Sequence, residues 1–112
     1  MLLAFVWAAA CADPGAALAN ASRSYQERGD YASLKILAER LHKGMTRHEV
    51  EALLGPPGLE PGGGHSVYGS DRKEQPSWAD RELFVALLIE YTDANGTVTD
   101  EVQSWELRPI GE

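Results

Sequence analysis

The chain has 112 residues, enough for one domain, with 44% hydrophobic residues and a formal net charge of −7. That apolar content excludes wholesale disorder, and the acidity argues against a general binder of nucleic-acid backbones or of anionic lipid head groups. Its one cysteine, Cys11, excludes an intramolecular disulfide.

Residues 2–12, LLAFVWAAACA, are uncharged and apolar. The stretch falls short of the roughly 20 residues that a membrane-spanning helix needs, but it suits the hydrophobic part of a secretory leader. Two processing routes are open. Ala8-Ala9-Ala10-Cys11 has the form of a lipobox, in which the cysteine is acylated and becomes the new terminus. Ala17-Leu18-Ala19 has the form of an A-x-A cleavage site before Asn20. The expected organisation is a targeting segment and tether over 1–19, a linker over 20–30 and a folded domain over 31–112.

Residues 13–29, rich in Ala, Ser, Asn and Gly, read as a tether or a loosely helical lead-in. Asp30 reads as an N-cap. Leu34, Leu37, Ala38 and Leu41 follow at the spacing of one helical stripe, which predicts a helix over about 31–42, ended by Gly44. Thr46 and Glu49 then form a capping box, with Met45 and Val50 placed as a hydrophobic staple. Val50, Leu53 and Leu54 give this second helix its buried face. Gly55 stops it, and Pro56 and Pro57 forbid its continuation.

Gly62-Gly63-Gly64 marks a loop before a short strand, His65-Ser66-Val67-Tyr68. Residues 71–81 read as a polar loop carrying Trp78. Leu83–Tyr91 is the clearest strand. Asp93-Ala94-Asn95-Gly96 predicts a type I turn with Gly96 at the left-handed bulge position. That turn pairs Leu83 with Leu107, Val85 with Trp105 and Leu88 with Val102. Shifting the pairing by one residue would set Glu90 against Glu101, a destabilising like-charge pair. The resulting order is α-α-β-β-β, an α+β two-layer sandwich with a helix hairpin packed on a three-stranded antiparallel sheet.

Chemistry-bearing patterns are sparse. His48-Glu49 opens like the H-E-x-x-H of zinc proteases, but Ala52 stands where the second histidine belongs. His42 and His65 have no metal spacing. The glycine run lacks the Lys-Ser/Thr of a phosphate loop, and no nucleophile motif occurs. Glu90 and Asp100 are placed to form a carboxylate pair, the one arrangement that would suit a small hydrolase. The expectation is a non-enzymatic protein without metal or cofactor. Tyr68, on an exposed strand edge, and Trp78, in a polar loop, are the expected partner-binding residues.

Gly44-Met45-Thr46, then Glu49-Val50, then Leu53-Leu54-Gly55-x-Pro57 together resemble the signature of the SmpA/OmlA family, the BamE-like outer membrane lipoproteins. The resemblance covers about residues 31–107. It implies the same α-α-β-β-β fold, with Gly44, Met45, Thr46, Glu49, Val50, Gly55 and Pro57 as architectural residues. It also implies acylation of a cysteine such as Cys11, and attachment by that lipid to the outer membrane, facing the periplasm. The family's role is non-catalytic: it supports the machinery that inserts β-barrel proteins, through contacts with partner lipoproteins and lipid head groups. A related fold serves secreted β-lactamase inhibitor proteins, which grip an enzyme with the sheet face. A soluble periplasmic or secreted binding module is therefore the alternative. Tyr25–Ala32 also looks like the turn of a tetratricopeptide repeat, but such a stack needs about three copies and no second one occurs.

Overall fold

The computed structural model describes residues 14–60 and 63–110, so Cys11 lies outside the described residues. Helix α1 spans Pro14–Arg28, α2 Tyr31–Ala38 and α3 Arg47–Leu54. Strands β1 (His65–Glu74), β2 (Leu83–Glu90) and β3 (Ser104–Ile110) form one antiparallel sheet in the order β1-β2-β3. The two expected helices and three strands are present in sequence order, preceded by a third helix.

That third helix takes in most of the stretch expected to be a linker. Leu18, Ala21 and Tyr25 recur at i, i+3 and i+7. Ala21 and Tyr25 are core residues, and Leu18 packs against the same cluster. The Tyr25 hydroxyl donates to the Gly69 carbonyl at 2.6 Å, and its ring meets Tyr68 edge-on. Ser22 Oγ donates to the Leu53 carbonyl at 2.7 Å, joining α1 to the end of α3. Gly29, at φ +67°, ends α1, with its N–H donating to the Tyr25 carbonyl. Asp30 caps α2 through the Ser33 N–H at 3.1 Å.

Helix α2 stops at Ala38, earlier than its periodicity predicts, although Leu41 is still buried. The cause is tertiary. Residues 44 and 45 pair with the chain before β3: Gly44 N–H donates to the Val102 carbonyl at 2.9 Å, and Val102 N–H donates to the Met45 carbonyl at 2.8 Å. Gly44 therefore holds the strap of residues 99–103 rather than capping a helix. Helix α3 has its capping box in full. Glu49 N–H donates to Thr46 Oγ1 at 3.1 Å, and Thr46 N–H donates to Glu49 Oε1 at 2.9 Å. Val50 and Leu54 face the core, Leu53 is half-buried, and Gly55 ends the helix at φ +81°.

The turn after β2 is the expected one. Gly96 N–H donates to the Asp93 carbonyl, Asp93 N–H donates to the Thr97 carbonyl, and Gly96 sits at φ +83°. Next to the turn Thr92 pairs with Val98, as the predicted register requires. Further along, that register is corrected. Ile89 faces Trp105, Leu87 faces Leu107 and Val85 faces Pro109. Tyr91 alone stands opposite residues 99–103, and those extra residues leave the sheet. They cross to the helix hairpin, where the Arg47 N–H donates to the Asp100 carbonyl at 2.8 Å and Val102 enters the core. The magnitudes explain the outcome. A favourable cross-strand pair contributes about 0.2–1 kcal/mol, whereas burying a valine contributes about 1.5–3 kcal/mol.

Candidate functional site

Alternation along the strands sorts the side chains onto two faces. The inner face, against the helices, carries Ser66–Ile89–Trp105 and Tyr68–Leu87–Leu107 as rows across the sheet. The outer face carries four rows: His65–Glu90–Ser104, Val67–Leu88–Glu106, Gly69–Ala86–Arg108 and Lys73–Phe84–Ile110. A bulge between Gly69 and Lys73 lets β1 run on to Glu74, so part of the expected 71–81 loop is strand.

The expected partner residues separate. Tyr68 is on the inner face, 1% exposed, and its hydroxyl donates to the Gly55 carbonyl at 2.9 Å. Burial pushes its phenol well above the ordinary value. It is a strut between sheet and helix hairpin and cannot meet a partner, which corrects the expectation of an exposed position. The strand edge beside it is also occupied: Val67 N–H donates to the Leu59 carbonyl at 2.9 Å, and Gly58 N–H donates to the Val67 carbonyl at 3.0 Å.

Trp78 is 69% exposed. It is displayed by a tight turn, Pro76–Ala79, in which the Ala79 N–H donates to the Pro76 carbonyl at 3.1 Å and Gln75 Nε2 donates to the Ala79 carbonyl. Trp78 lines a groove of about 530 Å³ with Leu59, Val67, Arg108, Pro109 and Ile110. Leu59 is itself 62% exposed. Arg108 is the one charged residue of this lining. Leu59, Arg108 and Ile110 were missed in the sequence; strand parity places the last two on the outer face, whereas Leu59 reaches the groove only through its bridge to Val67.

The expected Glu90–Asp100 pair is not supported by the strand register. Glu90 stands opposite Ser104, and Asp100 lies in the strap. Glu90 instead contacts His65 Nε2. His65, Glu90 and Ser104 line a shallow hollow of about 280 Å³. Their strand order puts the carboxylate between imidazole and hydroxyl, whereas nucleophile activation needs the imidazole between the other two. No group of three His, Cys, Asp or Glu residues with metal-binding geometry occurs among the described residues. No helix among them is long and apolar enough to cross a membrane.

On the far side of β2, Arg47 clasps three segments. Its guanidinium lies 4.0 Å from the Tyr91 ring centroid, Nη1 pairs with Glu60 at 3.1 Å, and Nη2 donates to the Gly63 carbonyl at 2.9 Å. This fixes the loop that carries Leu59 to the groove.

No family model, no curated protein and no solved structure matches this chain.

Proposed function

We propose that the chain is a non-catalytic binding module of the cell envelope, held at the outer membrane through acylated Cys11 and engaging envelope proteins through the outer face of its sheet. The observation that carries this reading is the pair of large apolar side chains, Trp78 and Leu59, displayed at the rim of an apolar groove with Arg108 as its polar anchor. Aromatic anchors beside pockets dominate binding energy at protein interfaces. The BamE-like resemblance of residues 44–57 supplies the envelope assignment and the barrel-assembly complex as the partner class.

The route through Cys11 is favoured over cleavage after Ala19 by the position of α1. Processing at Cys11 leaves the helix whole. Cleavage after Ala19 removes Pro14–Ala19, and with them Leu18 from the margin of the core.

The test is affinity co-purification from detergent-solubilised envelopes, with mass spectrometry of the bait's N-terminus and of its companions. The expected result is an acylated Cys11 with envelope-assembly proteins, which are lost from the Trp78→Ala bait. A free Asn20 terminus without such companions overturns the lipoprotein reading and leaves the soluble module. Companions retained in full by Trp78→Ala overturn the groove as the docking surface.

A further inference from the structure

The two edges of the sheet are unlike. Edge strand β1 is covered by Leu59, by the Tyr25 hydroxyl on the Gly69 carbonyl, and by the Asp71 carboxylate, which accepts from the Tyr31 N–H at 2.9 Å. Edge strand β3 pairs with nothing on its outer side among the described residues.

Which backbone groups that edge offers follows from the ladder. Val67 bonds outward to Leu59, so Ser66 and Tyr68 bond inward to Ile89 and Leu87. The alternate residues of β2, Leu88 and Ala86, therefore bond to Glu106 and Arg108. Trp105, Leu107 and Pro109 are left with their backbone groups pointing away from the sheet. Pro109 lacks an N–H, as suits an edge position, yet its carbonyl still accepts.

We infer that β3 is a self-pairing edge, and that a second copy of this chain docks on it antiparallel to form a continuous six-stranded sheet with Leu107 at the two-fold axis. Charge selects the copy and the register. Only even registers keep inner residues opposite inner ones. Centring on Glu106 sets Glu106 against itself, and centring on Arg108 sets Arg108 against itself. Centring on Leu107 sets Glu106 of each copy against Arg108 of the other, twice over, on the solvent face. Both side chains are more than half exposed, and their contact within one chain is long, 3.7 Å. In this register the Leu107 N–H groups donate to each other's carbonyls. Each Trp105 N–H donates to the opposite Pro109 carbonyl, so the missing proline donor removes only the return bond. Trp105 and Leu107, half-buried on the inner face, gain cover from the same residues of the second copy.

A seven-residue strand pair buries less than the roughly 800 Å² per partner of a standard stable interface. The dimer is therefore reversible and concentration-dependent. It uses the β3 edge, shares Arg108 and Pro109 with the lining of the outer-face groove, and does not depend on the function proposed above.

Sedimentation velocity on the full chain, from about 1 to 500 μM and with reductant present so that Cys11 cannot join copies, tests it. The expected result is a monomer–dimer equilibrium. Glu106→Arg and Arg108→Glu should each weaken it about tenfold. The double exchange should restore it, as should mixing the two single variants, because the charges are again opposite in the mixed dimer. Both sites of charge exchange are exposed in the monomer, so folding is preserved, which circular dichroism checks. Trp78→Ala should leave the dimer unchanged, separating this edge from the groove. A monomer at every concentration overturns the inference, as does a dimer indifferent to both single exchanges or unrescued by their mixture.

Discussion

The Arg47 guanidinium stacks on the Tyr91 ring at 4.0 Å, and Tyr91 is fully buried beneath it. One side chain thereby ties the start of α3 to the end of β2, and through Glu60 and Gly63 to the loop between α3 and β1. Cation–π contacts that are partly shielded from water contribute about 0.5–2 kcal/mol. Arg47→Ala should lower stability by about 1–2 kcal/mol, read as a lower urea midpoint. Arg47→Lys keeps the charge but not the planar fork and should recover only part of the loss. An unchanged midpoint for Arg47→Ala would show that the clasp contributes nothing.

Two buried hydroxyls, Ser66 Oγ and Tyr91 Oη, have no hydrogen-bond partner among the described residues. Burial raises the Tyr91 phenol, with the Arg47 charge opposing. A buried hydroxyl without a partner gives up water and gains nothing, so removing it costs little. Tyr91→Phe, which keeps the ring beneath Arg47, should leave thermal stability unchanged or raise it. A loss above about 1 kcal/mol would mean that the hydroxyl is satisfied after all.

Gly64 is packed against Thr92, and a Cβ there would collide with Thr92 Oγ1. Its carbonyl also accepts from the Tyr91 N–H at 2.8 Å, so the backbone is not free to move aside. Gly64→Ala should cost about 1–3 kcal/mol, the usual range for overpacking. Thr92→Ser in the same background retains the offending oxygen and should not rescue it, whereas Thr92→Ala should.

Acid should act at the helix caps. Asp30 is held below the ordinary carboxylate range by hydrogen bonds from Ser33 and Ser24, and Glu49 by the Thr46 N–H. Each folded value lies below the unfolded one. The stabilisation is therefore complete above the unfolded values, about 4, and is lost as pH falls through the folded ones. Unfolding midpoints measured from neutral to acid pH should drop over that window. Asp30→Asn with Glu49→Gln should flatten the drop, and parallel curves for the two proteins would refute the assignment. Thr46→Ala removes the other half of the α3 cap and should cost about 1 kcal/mol at neutral pH.

Local chemistry was legible in the sequence, and long-range pairing was not. The Thr46–Glu49 box and the Asp93–Gly96 turn depend on residues within a few positions of each other, and both are as expected. Helix α1 was obscured because its Ala, Ser and Asn content resembles a tether, and only the Leu18–Ala21–Tyr25 spacing marks a buried stripe. The partners in β3 were misread because nothing near residues 99–103 indicates that they leave the sheet. The slip is four residues, an even number, so the expected faces survive even though the expected partners do not. Tyr68 was misplaced for a related reason: an aromatic in a short strand has no sidedness until its neighbours are known, and here Leu87 opposite and Gly55 above put it inside.

The strap formed by residues 99–103 has a consequence for how the molecule opens. In an ordinary hairpin the last strand can peel away and leave the helices undisturbed. Here Val102 is bonded to Gly44 and Met45, and the Asp100 carbonyl to the Arg47 N–H, so β3 is stitched to the turn between the helices before it enters the sheet. Releasing the strand tears the helix hairpin, and melting the hairpin releases the strand. The protein therefore has little room for sub-global fluctuation. Solvent hydrogen should enter the Gly44 and Val102 amides, though they lie in irregular chain, on the same slow schedule as those of central strand β2.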